Sequence, residues 1–331
     1  MCKRERIRQA LWGLPLMLWT VLIGQADMVH GKEGNVPDKQ EIIKHLRDHL
    51  TMLTQTIGVR SVRRPDNLER SAAYIQARFE AMGLAAQRQT YPYKGMRVSN
   101  LVASRQFSSN PAVRYVLGAH YDSVTGTVGA DDNASAVAVL LETARVMQSS
   151  SPGEVGDLKI TFVAFALEEP PAYGTRYMGS RVFAAGARAE DQPIDGMICL
   201  EMVGYTCREP GCQRYPFPLK FLGFPREGTF IGIVGNLNSL SFSRKLGASF
   251  RRNPNLPVVN LTVPLDGWIM PSVRLSDHAS FWSKGYRAVM LTDSAYFRNP
   301  HYHLPSDTMQ TLDFSYMAEL VHSLVGFFCE P

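Results

Sequence analysis

The chain has 331 residues, of which 45% are hydrophobic, so it is long enough to bury a large core. Its net charge is +5 at pH 7, and the first eight residues carry three of those five charges, so the rest of the chain is nearly balanced. The sequence contains no basic stripe with interleaved aromatic residues, which argues against nucleic acid as a partner.

The N-terminus has the features of a targeting segment. A basic start is followed by an apolar run over residues 10–24, and Gly24 and Ala26 provide the small residues that a signal peptidase requires. Pro15 interrupts the run, which is shorter than the roughly 20 residues of a membrane-spanning helix. We therefore expect a cleaved signal peptide, and an uncleaved membrane anchor is the alternative.

The sequence divides into three parts. Residues 1–26 are the expected signal peptide, residues 27–37 form a polar and flexible N-terminal segment, and residues 38–331 form one domain. We expect the protein to be exported, either periplasmic or secreted, with no membrane contact in its mature form. The sequence does not indicate an oligomeric state.

The pattern of apolar residues along the domain alternates between the periods of helices and strands. The predicted helices cover residues 38–56, 67–82, 135–147 and 312–328, and the predicted extended segments cover 86–93, 100–106, 113–119, 158–167, 194–200 and 288–292. Strands that are apolar on both faces and separated by helices predict an α/β fold, with a mostly parallel mixed β-sheet sandwiched by helices. Residues 205–230 are rich in proline, glycine and aromatic residues and are predicted to run over the surface.

The cysteines are consistent with an oxidising compartment. Cys207 and Cys212 flank a turn sequence, and we expect them to form a disulfide, with two free thiols as the alternative. Cys199 lies in an apolar run and is expected to be a buried free thiol, whereas Cys329 has no evident partner.

Histidine and acidic residues follow the predicted strands at the points where ligands bind in open α/β sheets. They are His120 and Asp122 after strand 113–119, Asp131 and Asp132 before helix 135–147, Glu168 and Glu169 after strand 158–167, Glu201 after strand 194–200, and His301 and His303 after strand 288–292. Any one of them alone could be structural. Together, such carboxylates would raise one another's pKa unless cations neutralised them, and imidazole with carboxylate oxygen suits zinc.

These residues occur in motifs whose order is also informative. The motifs are His120-x-Asp122-Ser, Gly129-Ala-Asp-Asp132-Asn-Ala-Ser, Leu167-Glu168-Glu169 and Tyr302-His303-x-x-x-Asp307-Thr, with weaker marks at Gly58-Val-Arg60, Met178-Gly179-Ser180 and Ser276-Asp277-His278-Ala-Ser-Phe281. Over roughly residues 40–328 they resemble the M28 family of zinc metallopeptidases, in particular bacterial-type aminopeptidases. The resemblance implies the zinc-dependent exopeptidase (phosphorylase/hydrolase-like) architecture, an M28-type peptidase domain and two Zn²⁺ ions.

The resemblance also implies roles for individual residues. The implied metal ligands are His120, Asp132, Glu169, Glu201 and His303. Asp132 would bridge the two ions, Glu168 would be the general base, and Tyr302 would hydrogen-bond the developing oxyanion. Asp122 would orient His120, as carboxylates commonly do for metal-bound histidines. Glu201 occupies a position where the family has Asp or Glu, and its extra methylene relative to Asp leaves the local metal geometry open.

The implied function is an aminopeptidase that hydrolyses the N-terminal residue of peptides with a free N-terminus, using a metal-activated water. A glutaminyl-peptide cyclotransferase on the same fold is an alternative, although such enzymes typically carry Trp where this chain has Tyr302. A carboxypeptidase is another alternative, with Arg274 or Arg287 as a clamp for the substrate carboxylate. A non-enzymatic binding ectodomain is disfavoured because all five ligand positions hold residues that can bind metal.

Three further polar residues have no settled role in the sequence. Asp277 and His278 could belong to the outer part of the site or form a buried hydrogen-bonded pair. His301 matches no role in the family pattern and is expected at the surface.

Overall fold

The computed structural model describes residues 38–217, 219–221 and 223–330. The predicted signal peptide and flexible segment over residues 1–37 lie outside the described residues, so the boundary at residue 38 stays a prediction. No helix of the described ranges has the length and apolar character needed to cross a membrane.

The described residues form helices and strands that alternate along most of the chain. The helices are α1 (Lys39–Leu50), which continues as a π-helical stretch (Thr51–Ile57), α2 (Pro65–Ala81), α3 (Ala136–Ser149), α4 (Pro152–Val155), α5 (Gly179–Ala189), α6 (Leu240–Phe250), α7 (His278–Trp282) and α8 (Phe314–Cys329). The strands are β1 (Gln87–Tyr93), β2 (Met96–Gln106), β3 (Val113–His120), β4 (Leu158–Phe165), β5 (Gly196–Glu201), β6 (Ile231–Asn236), β7 (Val258–Val263) and β8 (Ala288–Thr292).

All eight strands belong to one mixed sheet in the order β1-β2-β4-β3-β5-β8-β6-β7. The central strands β4, β3, β5 and β8 are parallel to one another. β1 and β2 are added antiparallel at one edge, and β6 pairs antiparallel with β8 and parallel with β7 at the other. The α/β fold class predicted from the sequence is confirmed.

The two faces of the sheet are covered by different helices because side chains alternate along each strand. In β3, Leu117 packs into one apolar cluster and the preceding Val116 into the other. The larger cluster contains the buried sides of α1, α2, α3, α6 and α8, and the smaller one contains those of α5 and α7. The sheet therefore lies between two helical layers, as predicted.

The parallel register brings the carboxyl ends of the central strands to one edge. His120, the last residue of β3, is opposite Phe165 of β4, and Glu201, the last residue of β5, is opposite Thr292 of β8. This edge carries the residues that the sequence marks as candidate ligands.

Several elements were not predicted from the sequence. They are α4, α5, β6, α6, β7 and α7. β6 contains Gly232 and Gly235, which weaken the strand signal, and β7 is only half-buried along most of its length, so it lacks the continuous apolar run of a central strand. The predicted strand over 158–167 ends earlier, at Phe165, and the last two residues belong to the turn that leads to the glutamate pair.

The cysteine predictions agree with the structure. Cys207 and Cys212 form a disulfide, and Cys199 is a buried free thiol. Cys329 is a half-buried free thiol. The disulfide lies in the irregular segment 205–230, which runs over the surface as expected apart from a short 3₁₀ turn at Leu219–Phe221 and an isolated bridge between Cys207 and Gly228.

Candidate metal centre

The five predicted ligands come from five separate segments at the carboxyl edge of the sheet. His120 and Glu201 end strands β3 and β5, and Glu169 follows β4 after a short turn. Asp132 lies in the turn of residues 130–135 that precedes α3, and His303 lies in the loop after β8. All except His303 are buried, and His303 is half-buried.

The ligand atoms form two groups that share one carboxylate. His120 Nε2 lies 3.4 Å from Asp132 Oδ1 and 3.5 Å from Glu201 Oε2. His303 Nε2 lies 3.0 Å from Asp132 Oδ2 and 3.5 Å from Glu169 Oε2. Each oxygen of Asp132 therefore faces a different histidine, which is the arrangement expected of a carboxylate that bridges two cations.

The donor set fits two metal ions. In each group the candidate ligand atoms lie within 4.8 Å of one another. Two buried atoms at the centre, His120 Nε2 and Glu169 Oε1, have no hydrogen-bond partner among the described residues. Buried polar atoms are rarely left unpaired, so both are free to bind a cation. Imidazole nitrogen with carboxylate oxygen is a donor set that suits zinc.

The electrostatics of the protein groups alone are unfavourable. Burial raises the pKa of Glu169 well above its usual value, and the charge of Asp132 adds to this effect. Burial likewise raises the pKa of Glu201. Burial would also raise the pKa of Asp132, but the close approach of its carboxylate to the His120 and His303 rings holds that pKa below its usual range. Bound cations would stabilise the carboxylates in the ionised form that binds metal.

Left-handed backbone conformations shape three of the ligand segments. Leu167, directly before the glutamate pair, has φ of 62°, Met202, directly after Glu201, has φ of 49°, and His303 itself has φ of 59°. This region costs non-glycine residues free energy, and such residues concentrate at functional sites where the surrounding structure holds them. Here they turn the chain sharply at the ends of β4 and β5 and in the His303 loop.

Two aspartates hold the backbone of the ligand-bearing turns. Asp122 accepts hydrogen bonds from the backbone N–H groups of Glu168 and Glu169, both at 3.0 Å, and its carboxylate lies 3.5 Å from His120 Nδ1. Asp307 accepts hydrogen bonds from the N–H groups of Asp131 and Asp132, at 2.8 and 3.1 Å. Asp122 was expected beside His120. The similar role of Asp307 was not predicted, although its motif was noted.

Arg60 is a second supporting residue that sequence reasoning left without a role. Its side chain is fully buried and donates hydrogen bonds to the carbonyl oxygens of Tyr121, Val128 and Gly129. These carbonyls belong to the segments that carry His120 and Asp132. The only sequence signal for Arg60 was the weak Gly58-Val-Arg60 motif.

The other polar residues fall into different environments. Ser276 Oγ donates a hydrogen bond of 2.5 Å to Glu201 Oε2, the same oxygen that faces His120. Asp277 and His278 are both buried, but His278 Nε2 lies 2.8 Å from the carbonyl oxygen of Val273 and the two side chains are not bonded to each other. Of the two alternatives that the sequence left open, the buried hydrogen-bonded pair is therefore wrong. His301 is half-buried, with Nδ1 3.0 Å from Ser306 Oγ.

The two arginines considered as carboxylate clamps lie at different ends of the sheet. Arg287 directly precedes β8, at the amino end of a strand whose carboxyl end faces the metal centre. It is therefore on the wrong side to act there. Arg274 lies on the segment that leads to Ser276, and its guanidinium stacks 4.0 Å from the ring centroid of Trp268.

An apolar cavity opens beside the metal centre. Glu201 and Tyr302 line it next to the ligands, and its other walls come from β6, β7, β8 and the irregular segments 214–224 and 272–275. The ring of Tyr302 stacks on His303 with centroids 3.8 Å apart. Burial raises the pKa of Tyr302 well above its usual value, and the charge of Asp132 adds to this, so its hydroxyl stays a hydrogen-bond donor.

Comparison with known proteins places this site in a family. The model of Peptidase family M28 matches residues 100–222. The chain is 38% identical over 290 residues to the uncharacterized protein YfbL of Escherichia coli (strain K12). The alignment covers 85% of this chain and 86% of YfbL. The chain belongs to peptidase family M28. The resemblance inferred from the motifs is thereby confirmed, as is the enzyme class, a hydrolase that acts on peptide bonds.

More distant relatives of this M28 chain include a probable leucine aminopeptidase 1 of Trichophyton verrucosum, 27% identical over 226 residues. That match covers 65% of this chain and 53% of the fungal protein, so the M28 chain spans about half of that relative. Among solved structures, the fold is similar to the Legionella pneumophila LapA aminopeptidase, with a TM-score of 0.65, 20% identity and coverage of 90% of this chain and 76% of LapA. It is also similar to the Porphyromonas gingivalis glutaminyl cyclase, with a TM-score of 0.63, 18% identity and coverage of 89% and 99%.

Proposed function

We propose that this M28 protein is a zinc-dependent aminopeptidase with two metal ions. The observation that carries the proposal is the pair of ligand groups that share Asp132, with Glu168 directly beside them. Glu168 Oε2 lies 3.9 Å from His120 Nε2, so it is close to the ligands without belonging to either group. Zinc bound at these groups would polarise the scissile carbonyl and lower the pKa of a water molecule toward neutrality.

The residues of the chain supply the proton transfers. Glu168 accepts the proton of the attacking water and then delivers it to the leaving amine. Burial raises the pKa of Glu168 well above its usual value, which suits a carboxyl group that must hold a proton between these two steps. Tyr302 donates a hydrogen bond to the developing oxyanion, a role that its neutral hydroxyl can fill beside His303.

The apolar cavity supports a preference for substrates with a large apolar N-terminal residue. It borders Glu201 and Tyr302, so a side chain on the residue before the scissile bond can enter it. Its walls are mostly apolar and include Leu261, Met290 and Phe230, with Arg214 as the one cationic residue of the described lining. Carboxylates near the proposed metal sites, Glu168 or Glu201, would receive the free α-ammonium group.

The cyclase alternative is less well supported. The histidine of the last motif is preceded by Tyr302 rather than by the Trp that is typical of the cyclases. Likeness to a glutaminyl cyclase at 18% identity concerns the fold alone.

The test combines a variant with a panel of substrates. For Glu168→Gln we expect kcat on leucyl-p-nitroanilide to fall by about 10²- to 10⁴-fold, because the general base is removed. Zinc content, measured by plasma mass spectrometry, should not change, and Glu190→Gln on the protein surface is the matched control. Loss of zinc in Glu168→Gln would contradict its role as base. Efficient cleavage of N-acetylated peptides would refute the aminopeptidase, and cyclisation of glutaminyl peptides in preference to hydrolysis would favour the cyclase.

We propose in addition that the protein is exported, either periplasmic or secreted. The basic and apolar start of the sequence supports this, and so does the Cys207–Cys212 disulfide, since such bonds persist mainly in oxidising compartments. N-terminal sequencing of the mature protein should find a start after Ala26. An intact N-terminus in a membrane fraction would instead indicate the uncleaved anchor.

A further inference from the structure

A second cavity lies behind residues that contact the metal ligands. Ser276 and Tyr173 both line it. Ser276 Oγ is bonded to Glu201, and the backbone N–H of Tyr173 donates to the carbonyl oxygen of Glu169 at 3.2 Å. Its walls are therefore in direct contact with two of the residues proposed to bind metal.

The segment 272–276 separates this cavity from the apolar one. Ser272, Val273 and Leu275 line the apolar cavity, whereas Arg274 and Ser276 line the second. The hydroxyl of Tyr173 donates to the carbonyl oxygen of Arg274 at 3.3 Å, which ties the far wall to the same segment. The two cavities therefore lie on opposite sides of this segment.

The second cavity is strongly cationic. Arg176, Arg181, Arg274 and Lys284 line it, and its described lining contains no carboxylate. None of the four forms an ion pair with an acidic side chain within the described ranges. The nearest acid along the chain, Asp277, is buried and does not line the cavity.

The other contacts of these cations leave their charge available. Arg176 donates to the Tyr177 hydroxyl and Arg181 to the Gly174 carbonyl oxygen, both neutral acceptors. Arg274 is held against the Trp268 ring. Several unpaired cations around one concave surface create a positive potential that attracts anions, and guanidinium groups match the geometry of carboxylates.

We propose that this cationic cavity binds a carboxylate of the peptide substrate beyond the scissile bond. The carboxylate belongs either to an acidic side chain or to the C-terminus of a short peptide. The inference rests on the proposed aminopeptidase function, in which the apolar cavity receives the N-terminal side chain and the rest of the peptide lies elsewhere. It adds a preference for anionic groups on the leaving part of the substrate.

The experiment uses two matched pairs of substrates with the zinc-loaded enzyme. The first pair is Leu-Gly-Gly and its C-terminal amide, and the second is Leu-Asp-Gly amide and Leu-Asn-Gly amide. We expect kcat/KM to favour the carboxylate in at least one pair by roughly five- to tenfold, and about 0.5 M NaCl should reduce this ratio. The pair that responds identifies the source of the carboxylate.

The double variant Arg181→Gln/Lys284→Gln should bring the ratio to within about twofold of unity, as expected when charge-assisted contacts are removed. Lys245→Gln, an exposed change of the same charge on α6, should keep the wild-type ratio. Equal kcat/KM within both pairs for the wild-type enzyme, or a preference that survives in the double variant, would overturn the proposal.

A binding measurement separates this proposal from the proposed function. The zinc-loaded Glu168→Gln variant is titrated calorimetrically with each of the four peptides. In the pair that responds, the peptide with the carboxylate should bind with a lower Kd than its uncharged partner. If the wild-type enzyme cleaves no peptide but this difference in binding is present, the cationic site stands and the aminopeptidase is refuted. If the enzyme cleaves all four peptides equally and binds them equally, the aminopeptidase stands and the cationic site is refuted.

Discussion

Two aspartates that bind no metal in our assignment set the geometry of the centre. Asp122 holds the consecutive amides of Glu168 and Glu169, and Asp307 holds those of Asp131 and Asp132. In both aspartates, each carboxylate oxygen accepts a hydrogen bond from one backbone N–H group. A carboxylate is the side chain that can accept both bonds at once, and charge-assisted bonds of this kind are stronger than neutral ones.

Asp122→Asn should therefore weaken the centre although the side chain keeps its shape. The asparagine amide offers one acceptor oxygen and places an NH₂ group against the second N–H donor, which leaves a buried amide unpaired. We expect zinc affinity, measured by competition with a chelator, to fall about 10- to 100-fold, which is the usual effect of losing a supporting group. Unfolding in urea should show a loss of about 1–3 kcal/mol.

The matched control is Asp191→Asn. Asp191 is exposed and has φ of 48°, a conformation that asparagine tolerates well. Unchanged zinc affinity in Asp122→Asn, with only stability reduced, would show that Asp122 supports the fold and not the metal ligands.

At the scale of elements, the irregular segment 205–230 is tied down at several points. The disulfide closes its first part, and Gly211 and Gln213 both donate backbone hydrogen bonds to the carbonyl oxygen of Arg226. The side chain of Gln213 donates a hydrogen bond to Ser294 and accepts one from Arg298. Ser294 itself lines the apolar cavity. The segment can therefore contribute a fixed wall even though it contains little regular secondary structure.

Removing the disulfide with Cys207→Ser/Cys212→Ser should loosen that wall. A six-residue loop closed by a disulfide contributes about 2 kcal/mol through the entropy of the unfolded chain, so the free energy of unfolding should fall by about that amount. We expect KM for leucyl-p-nitroanilide to rise several-fold while kcat changes little, because the metal ligands lie elsewhere. Cys329→Ala, at a half-buried free thiol on α8, tests whether loss of any cysteine has this effect, and an unchanged KM in the double variant would contradict the prediction.

The contact between α1 and α2 contains a buried histidine with a consequence for acid stability. His49 of α1 lies 2.6 Å from the Tyr74 hydroxyl of α2, and burial lowers the pKa of His49 to about 3. The unfolded chain, with the usual pKa of 6.5, binds this proton more readily than the folded one. Stability contributed by neutral His49 is therefore complete above pH 6.5 and is lost as the pH falls toward 3.

His49→Gln should remove this dependence while keeping a side chain that can bond Tyr74. Between pH 6.5 and 5 the wild-type protein should lose about 2 kcal/mol more than the variant, at 1.36 kcal/mol per pH unit. Urea unfolding at the two pH values measures the difference. An equal loss in the free energy of unfolding of both proteins would contradict the prediction, because it would mean that His49 is protonated in the folded protein as readily as in the unfolded chain.

At the scale of the whole molecule, what the sequence could predict follows from how local each signal is. The central strands are apolar on both faces, so β3, β4 and β5 were recognisable, and ligands directly after them, such as His120 and Glu201, could be placed at one edge. Strands β6 and β7 lie toward the sheet edge with glycines or half-exposed residues, and their pattern is weaker.

The supporting residues of the site were harder to predict because their partners are distant in sequence. Arg60 reaches the carbonyl oxygen of Tyr121 across 61 residues, and Asp307 reaches Asp131 across 176. Their partners are also backbone groups, which leave no trace in residue type. The cationic cavity is assembled from three separate segments, and only Arg274 stood out in the sequence, for a different role.

The arrangement of the whole carboxyl edge makes metal content a determinant of overall stability. Four buried carboxylates, Asp132, Glu168, Glu169 and Glu201, meet there with two histidines, and burial raises the pKa of the three glutamates. Removal of bound cations with a chelator leaves these groups either protonated or mutually repelling. A ligand that binds only the folded state at about 100 times its dissociation constant stabilises by about 2.7 kcal/mol, which corresponds to roughly 4 °C in Tm for a domain of this size.

We therefore expect chelation to lower Tm by at least about 4 °C and added zinc to restore it. Titration of the metal-free protein with zinc should raise Tm until two equivalents are bound, because each ligand group needs its own ion and both use Asp132. Glu201→Ala removes a ligand from one group only. In this variant, Tm should stop rising after about one equivalent of zinc. A wild-type end point at one equivalent would refute the two-ion centre and leave a single-zinc site, with Asp132 bound through one oxygen only.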